Sequence, residues 1–437
     1  KLRDMRSGSL MESEFVCDDP WKYIADFMAD MKCAEVSSLP ETFSGGWVGY
    51  GGYDTARYAE SRVLPFSNAP KDDRNLPEMH MGLYQSSIVV DHFAKMLIVV
   101  EWVDLQRSDT LELAYSQGMS RLNSLVSLVM KQRLQSPLQG GYIDLDTFAK
   151  ASVANDFVSN MSKEEFVAGV EKCLYHIREG DAFQIVLSQR FEHISQVDPF
   201  SVYRALRVIN PSPYMIYMQC EGSVLVASSP EILCRVKDGI MVNRPLAGTR
   251  WRGKTEEEDL QLEKELLSDE KERAEHIMLV DLGRNDLGRV AEYGSIEVAR
   301  LMEVERYSHV MHISSTVYGK LREGMTSWDA LRSTLPAGTV SGAPKIRAMQ
   351  IIDTIETSMR GPYGGGIGFV SFQDHMNMAL GLRTMVIRKT EDGKWNYHIQ
   401  AGAGLVGDSD PEKEYQETVN KAMALARAID LAEQAFL

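Results

Sequence analysis

The N-terminal third of the chain changes from strand-like to helical periodicity. Residues 85–105 read QSSIVVDHFAKMLIVVEWVDL, in which two runs rich in β-branched side chains flank a polar break. This pattern predicts a β-hairpin. Residues 110–132 place apolar side chains at helical spacing and predict a helix. Residues 133–155 begin with proline and paired glycines and have no periodicity, so we expect a linker there.

Beyond the linker, helical and strand-like segments alternate. Ser162 precedes a helical pattern and has Glu165 three residues later, which is the signature of a capping box. Long β segments interleaved with helices indicate an α+β or mixed α/β fold. After that first helix, the predicted elements are strands at 182–194, 212–219 and 223–229 and an acidic helix at 256–267.

Composition restricts the kinds of partner. The chain has 437 residues, of which 44% are hydrophobic and 25% charged, as in an ordinary globular protein. Its net charge of −15 argues against nucleic acid or an anionic membrane surface as a partner. No apolar run reaches the roughly 18 residues that a membrane-spanning helix needs. Because the chain as a whole is negatively charged, an anionic substrate must be bound by a local basic pocket.

Cysteine usage and the N-terminus bear on the compartment. The five cysteines are few, odd in number and lack CxxC spacing, so we expect reduced thiols. The chain starts KLRDMRSG, without a methionine or a signal-like apolar region, and we expect this start to be internal to a longer or processed protein.

The most informative segment is the run at residues 400–421, QAGAGLVGDSDPEKEYQETVNK. A glycine-rich strand and a short loop lead into a helix that carries two carboxylates and an ammonium on one face. A second acidic helix offers Glu275. Such carboxylates suit Mg²⁺, which binds through one or two of them together with substrate oxygens and water. The alternative is a solvated helix face. The three charged residues on the last helix are Glu414, Glu417 and Lys421.

Six ordered motifs now carry a resemblance. The chain resembles the chorismate-binding enzymes and, within them, the large subunits of anthranilate synthases. The match is dense over about residues 160–430 and looser from 45 to 104. The motifs are PLAGTRWRG at 245–253, DEKERAEHIMLVDLGRNDLG at 269–288, ERYSHVMH at 305–312, GTVSGAPK at 338–345, GPYGGGIG at 361–368 and the AGAG run at 401–404.

The resemblance implies an α+β fold with two large β-sheets packed on each other, helices on the outside and the active site in the cleft between the sheets. It divides the chain into an N-terminal region, a linker and a chorismate-binding catalytic domain. These parts are expected at residues 1–132, 133–155 and 156–437.

The implied activity is that of a Mg²⁺-dependent oxo-acid lyase in tryptophan biosynthesis. Ammonia adds at C2 of chorismate while the C4 hydroxyl leaves, and loss of pyruvate then gives anthranilate. We expect the ammonia to come from glutamine through a separate amidotransferase subunit. The compartment implied is the plastid stroma for a plant or algal protein and the cytoplasm otherwise.

The resemblance assigns roles residue by residue. The expected Mg²⁺ ligands are Glu275, Glu417 and Glu414. The expected substrate-binding residues are Tyr363, Arg383, Gly402, Gly404, Lys421, Ala247, Gly248 and Thr249. The expected catalytic residues are His312, which assists pyruvate elimination, Glu231, a general acid whose pKa must be raised, Thr339, which contacts substrate, and Gln184.

Two positions separate this chain from related activities. Isochorismate-forming relatives carry a lysine at the position of Gln184, and a neutral amide cannot deprotonate water as a desolvated lysine can. Aminodeoxychorismate-forming relatives carry a nucleophilic lysine at the position of Ala247. Both positions favour direct attack by ammonia. The alternatives left open are those two synthases and a catalytically inactive subunit that senses tryptophan or holds a glutaminase.

An NPSPYM segment matches the motif that lines the family's allosteric tryptophan site; the alternative is a turn at a strand entry. The residues are Asn210, Pro211, Ser212, Pro213, Tyr214 and Met215. The other half of that site is an early LLES-type motif, and LMES at residues 10–13 lies too near GGWVGY to match it. We therefore expect the matching motif to lie upstream of residue 1, so that the tryptophan site is incomplete in this chain.

Overall fold

Strands form the interior of the molecule. The computed structural model describes residues 2–4, 11–34, 36, 39, 42–132, 157–307 and 310–436. The strands are β1 (Leu2–Asp4), β2 (Met11–Ser13), β3 (Gly46–Gly51), β4 (Met79–Tyr84), β5 (Ser86–Asp91), β6 (Met96–Glu101), β7 (Val158–Ser159), β8 (Gln184–Ser195), β9 (Tyr214–Cys220), β10 (Ser223–Ser229), β11 (Ile232–Lys237), β12 (Ile240–Asn243), β13 (Leu246–Trp251), β14 (Glu297–Arg306), β15 (Val310–Lys320), β16 (Gly342–Ala343), β17 (Gly366–Ser371), β18 (Met376–Leu380), β19 (Thr384–Lys389) and β20 (Trp395–Leu405).

Helices connect these strands and cover their outer faces. They are α1 (Pro20–Ala29), α2 (Ala56–Ala59), α3 (Leu111–Gln132), α4 (Lys163–Arg178), α5 (Pro199–Ile209), α6 (Glu256–Ser268), α7 (Glu270–Gly288), α8 (Ser327–Thr334), α9 (Gly338–Ser341), α10 (Lys345–Asp353) and α11 (Pro411–Phe436). Short 3₁₀ turns occur at Tyr53–Thr55, Phe66–Asn68 and Leu105–Arg107.

Two large antiparallel sheets organise the described residues. Sheet I has seven strands in the order β16-β8-β20-β19-β10-β9, with β7 paired to β8. Sheet II has nine strands in the order β13-β15-β12-β11-β18-β17-β3-β4, with β14 paired to β15. Strands β3 and β4, from the N-terminal part of the chain, thus complete a sheet whose other strands come from residues 232–380.

The inner faces of the two sheets pack on each other. Tyr50 of β3 and Ile367 of β17 meet Leu225 of β10 and Val386 of β19 in one buried cluster. On the outer side of sheet I, α5 and α11 bury apolar side chains against β8, β10, β19 and β20. Residues of α1, α7 and α8 do the same against sheet II. The expected α+β architecture of two packed sheets with outer helices is confirmed.

Three local predictions are also confirmed: the hairpin, the helix at 110–132 and the capping box at Ser162. Strands β5 and β6 pair as the predicted hairpin, and α3 occupies the predicted helical segment. Ser162 Oγ accepts a hydrogen bond from the Glu165 amide, while the Glu165 carboxylate accepts one from the Ser162 amide. Cysteines in the described part of the chain are free thiols, and none of its helices has the length and apolarity needed to cross a membrane. The predicted linker at 133–155 lies outside the described residues.

Candidate active site

His312 lies on β15 opposite the PLAGT segment of β13. A bulge between Ala247 and Thr249 interrupts this pairing, and Gly248 adopts a φ of +64°, which favours glycine. The Gly248 carbonyl oxygen lies 2.9 Å from His312 Nδ1, and Thr249 Oγ1 lies 3.1 Å from the same nitrogen. Because a carbonyl can only accept, Nδ1 carries the proton and Nε2 is left basic. Burial lowers the pKa of His312, and the nearby Arg383 charge lowers it further.

Glu231 is buried where β10 passes into β11. Its side chain accepts a hydrogen bond from Thr339 Oγ1 at 3.4 Å, which joins two residues that the sequence placed in the site. Burial raises the pKa of Glu231 to about 8, because a charged carboxylate is poorly solvated there, and the Thr339 bond only partly opposes this effect. The carboxyl is therefore mostly protonated at neutral pH, as the acid role requires.

The wall formed by sheet I brings four further residues together. A Cβ atom at Gly402 would lie 2.8 Å from Tyr363 Oη, and one at Gly404 would lie 2.9 Å from Gln184 Nε2. The two glycines thus make room for two other site residues. Gln184 is 3% exposed, and its Oε1 has no hydrogen-bond partner among the described residues. A buried neutral amide therefore occupies position 184 in this wall.

Arg383 connects this wall to the NPSPYM segment. It adopts a φ of +46°, and its Nη1 lies 3.4 Å from Asn210 Oδ1. Its carbonyl accepts a hydrogen bond from the Ser228 amide at 3.1 Å. Burial lowers the pKa of Arg383, which leaves a desolvated cation suited to a substrate carboxylate.

The NPSPYM segment itself runs from the end of α5 into β9. Pro213 and Tyr214 line a cavity of about 280 Å³, which they share with Glu231 and Tyr307. The Tyr214 hydroxyl donates to Asn377 Oδ1 at 3.2 Å. Ser212 Oγ donates to the Tyr214 carbonyl and lies 3.7 Å from Met215 Sδ, while Pro211 follows the helix cap Asn210. Of the LMES segment, Leu10 lies outside the described residues and Met11–Ser13 form β2. Tryptophan binding here stays a prediction.

The expected metal ligands lie on two helices, Glu275 on α7 and Glu414 and Glu417 on α11. Burial raises the pKa of Glu275 and of Glu414, and the negative charge of Glu417 raises both further. These carboxylates are close enough to repel one another, and a divalent cation would relieve that repulsion. Oxygen donors of this kind fit Mg²⁺. Within the described chain, however, no group of three or more His, Cys, Asp or Glu side chains converges as a preformed metal site.

Lys421 links α11, which carries Glu414 and Glu417, to β20, which carries Gly402. Its Nζ lies 2.6 Å from Glu417 Oε1 and donates to the Gly402 carbonyl at 3.0 Å. The ammonium is therefore held between the expected metal ligands and the expected carboxylate pocket.

Three residues in or next to the quoted motifs escaped assignment. Tyr307 packs its ring edge-on against His312 with centroids 5.6 Å apart, and its hydroxyl donates to Glu305 at 3.0 Å. Arg360 and Glu356 form a buried ion pair beneath Tyr363. Arg360 immediately precedes the GPYGGGIG motif, and Glu356 lies four residues before Arg360. Both residues follow the end of α10 at Asp353, so the helical i,i+4 rule gave no signal for this pair.

Known proteins are similar to this chain in sequence and in fold. A family model described as chorismate binding enzyme matches residues 7–427. The chain belongs to the chorismate-binding enzymes, and the resemblance inferred from its motifs is confirmed.

Its relatives within that family are anthranilate synthases. It is 52% identical over 449 residues to the chloroplastic anthranilate synthase alpha subunit 2 of Oryza sativa subsp. japonica, an alignment that spans 100% of this chain and 73% of the rice protein. It is 47% identical to anthranilate synthase component 1 of Acetivibrio thermocellus, over 98% of this chain and 83% of that protein. The crystal structure of anthranilate synthase component I from Streptococcus pneumoniae superposes with a TM-score of 0.79 at 39% identity, covering 96% of this chain and 87% of that one.

Proposed function

We propose that this chain is the large subunit of an anthranilate synthase, which converts chorismate and ammonia into anthranilate and pyruvate. The observation that carries the proposal is the pairing of an acid and a base in one site. The pKa of Glu231 is raised to about 8 and that of His312 is lowered, so at neutral pH one group holds a proton and the other accepts one.

We assign substrate binding to two cationic side chains and one hydroxyl, those of Arg383, Lys421 and Tyr363. Chorismate carries two carboxylates, and Arg383 can receive one through two parallel hydrogen bonds. Tyr363 supplies a hydroxyl close to Gly402, and Lys421 supplies positive charge at the same glycine through its hydrogen bond to the Gly402 carbonyl. These contacts orient the ring between the two sheets.

The first step needs a proton for the departing hydroxyl. Ammonia forms a bond to C2, the ring double bonds shift, and the C4–O bond breaks. The Glu231 carboxyl proton goes to that oxygen, which leaves as water, and the proton lost by the new amine balances the step. Gln184 activates no water, and Ala247 offers no side-chain nucleophile.

The second step needs a base. The bond from C3 to the enolpyruvyl oxygen breaks, C2 loses a proton, and the enolpyruvyl methylene gains one to become pyruvate. His312 Nε2 is the base assigned to C2, because the Gly248 carbonyl holds the proton on Nδ1. Tyr307 holds the imidazole in orientation from its edge.

A magnesium ion fits the carboxylates between α7 and α11. Glu275, Glu414 and Glu417 are the residues that would hold it. When bound, it would neutralise the ring carboxylate of the substrate and act as a Lewis acid on it.

The relatives supply the rest of the proposal. Large subunits of this class imply an amidotransferase partner, which would release ammonia from glutamine. The rice relative is described as chloroplastic, and it supports a plastid location for this chain if it comes from a plant or alga. The cavity beside Pro213 and Tyr214 is the place where we would look for tryptophan binding.

The test is direct. The purified protein is incubated with chorismate, Mg²⁺ and an ammonium salt at pH 8, and the products are identified by mass and by the fluorescence of anthranilate. We expect anthranilate and pyruvate in equal amounts. Isochorismate or aminodeoxychorismate as the sole product would refute the assignment. The variant Glu231→Gln is the control that separates enzyme-bound chemistry from spontaneous breakdown of chorismate.

A further inference from the structure

Arg360 and Glu356 form a buried ion pair next to the residues to which we assign substrate binding. Arg360 is 2% exposed and Glu356 is 7% exposed. Arg360 Nε lies 2.8 Å from Glu356 Oε2, and Nη2 lies 2.5 Å from Oε1, so the contact is bidentate. The two residues sit between α10 and the glycine-rich turn that carries Tyr363.

The guanidinium also binds two backbone segments of the site. Nη1 donates to the Val340 carbonyl at 2.5 Å, on the short helix that carries Thr339. Nη2 donates to the Val186 carbonyl at 2.7 Å, two residues beyond Gln184 on β8. One side chain therefore ties an inner strand of sheet I to the helix that faces Glu231.

The carboxylate extends the same network to β20. Glu356 Oε1 accepts hydrogen bonds from the amide and the hydroxyl of Ser188, both at 2.8 Å. Ser188 Oγ in turn accepts one from Gln400 Nε2 at 2.9 Å, and Gln400 lies two residues before Gly402. Strands β8 and β20 are thus joined by side chains as well as by their backbone ladder.

Aromatic rings enclose the guanidinium. Its Cζ lies 4.4 Å from the ring centroid of Tyr53 and 5.8 Å from that of Tyr363. The Tyr53 amide donates to the Gly361 carbonyl at 2.9 Å, which anchors the turn that carries Tyr363. Burial raises the pKa of Tyr363 to about 12, and the positive charge of Arg360 opposes that rise. The Tyr363 hydroxyl lies beside Gly402, where a Cβ atom would come within 2.8 Å of its oxygen.

Stability alone is a weak reason for such a pair. The desolvation of two buried charges often cancels their attraction, and apolar residues of similar volume can serve a core equally well. What apolar residues cannot do is bond four chain segments in fixed geometry, and a misplacement of about 1 Å can cost a factor of about 100 in rate.

We propose that Arg360 and Glu356 are positioning residues for chorismate, an inference that rests on the proposed function. The pair holds four segments in the one arrangement that matches the substrate's carboxylates and its reacting ring carbons. The site residues carried by those segments are Gln184, Thr339, Tyr363 and Gly402.

A double-mutant cycle tests whether the pair acts through Tyr363. Arg360→Lys keeps the charge but loses the planar fork. We expect it to raise the KM for chorismate about 10-fold with a smaller fall in kcat, and to raise KM less than about 3-fold when Tyr363→Phe is already present, because residues that act together are not additive. The proposal would be overturned if Arg360→Lys raised the KM for chorismate by the same factor with and without Tyr363→Phe. It would also be overturned if Arg360→Lys lowered thermal stability and left the KM unchanged.

The matched control is another buried arginine. Arg57 pairs with Asp353 through bonds of 2.9 and 2.7 Å and also contacts Asp54. Arg57→Lys should lower stability without changing the KM for chorismate, and an equal rise in KM there would count against the proposal. If Arg360→Lys does not fold, Ser188→Ala removes two bonds of the network without touching the charges and should show the same coupling.

Hydrogen exchange provides a test of the positioning role that does not depend on enzyme activity. We expect peptides covering residues 184–188, 338–341, 361–366 and 400–404 to exchange faster together in Arg360→Lys, but not in Arg57→Lys. Unchanged exchange in those four segments would refute a positioning role. A wild type that forms no anthranilate would instead refute the proposed function, while the exchange result still decides whether the ion pair orders the wall.

Discussion

Replacing Glu231 by glutamine removes a buried acid whose ionisation should govern both stability and turnover. The side chain is 8% exposed, and burial raises its pKa from 4.5 to about 8. Between these two pH values the unfolded chain releases the Glu231 proton while the folded protein keeps it. The folded state then binds more protons, so its stability falls as the pH rises through this window.

The magnitude follows from the width of the window. A difference of about 3.5 pH units at roughly 1.36 kcal/mol each gives a cost of about 5 kcal/mol above pH 8, and none below pH 4.5. Glutamine has nearly the same shape and does not titrate. The free energy of unfolding of Glu231→Gln relative to wild type should therefore increase by several kcal/mol between pH 5 and pH 8.

The assay is chemical denaturation at a series of pH values, run beside kinetics. In Glu231→Gln the kcat should fall by a factor of about 10²–10⁴, the usual contribution of a general acid, and in wild type kcat should decline as the pH rises past 8. Glu391→Gln, at an exposed glutamate in the turn between β19 and β20, is the control and should change neither quantity. A stability difference that does not vary with pH would refute the buried-acid reasoning, even if activity were lost.

Three further outcomes test other parts of the site. His312→Met should slow elimination more than amination, so that the amino-enolpyruvyl intermediate accumulates and is seen by mass; unreacted chorismate alone would place His312 in the first step. Excess chelator should abolish turnover, and Glu417→Ala should raise the Mg²⁺ concentration needed for half-maximal rate; activity in chelator would exclude the metal role. Gln184→Lys should bring slow formation of the 2-hydroxy product if burial lowers the pKa of the new lysine, whereas ready isochorismate formation by the wild type would show that Gln184 does not choose the nucleophile.

Local sequence patterns determined the elements whose stability is local. The hairpin of β5 and β6, the helix α3 and the capping box at Ser162 each depend on residues within a few positions of one another. The motifs also predict which side chains carry the chemistry, because they place particular residue types at fixed spacing. Their family followed from the order of those motifs.

Local sequence patterns do not predict contacts between residues that are far apart in the chain. Strand β3 pairs with β17 across more than 300 residues, and no local signal names that partner. The hydrogen bond from Arg383 to Asn210 likewise joins segments that are far apart in the chain. The left-handed φ of Arg383 was also not predicted from its neighbours in sequence. The expected metal ligands likewise lie on α7 and α11, more than 100 residues apart in sequence, so periodicity does not encode how close they come.

The sequence by itself determined the family and predicts which residues carry the chemistry, and the tertiary structure decided the environment that tunes each of them. The motif predicts that Glu231 is an acid with a raised pKa, but the size of that rise depends on the burial of the carboxyl in the folded protein. Arg360 was left out because a buried arginine cannot be told from an exposed one by its neighbours in sequence. Its role became visible only when Val186, Val340 and Ser188 were found around one ion pair, since hydrogen bonds depend on distance in space and not on separation along the chain.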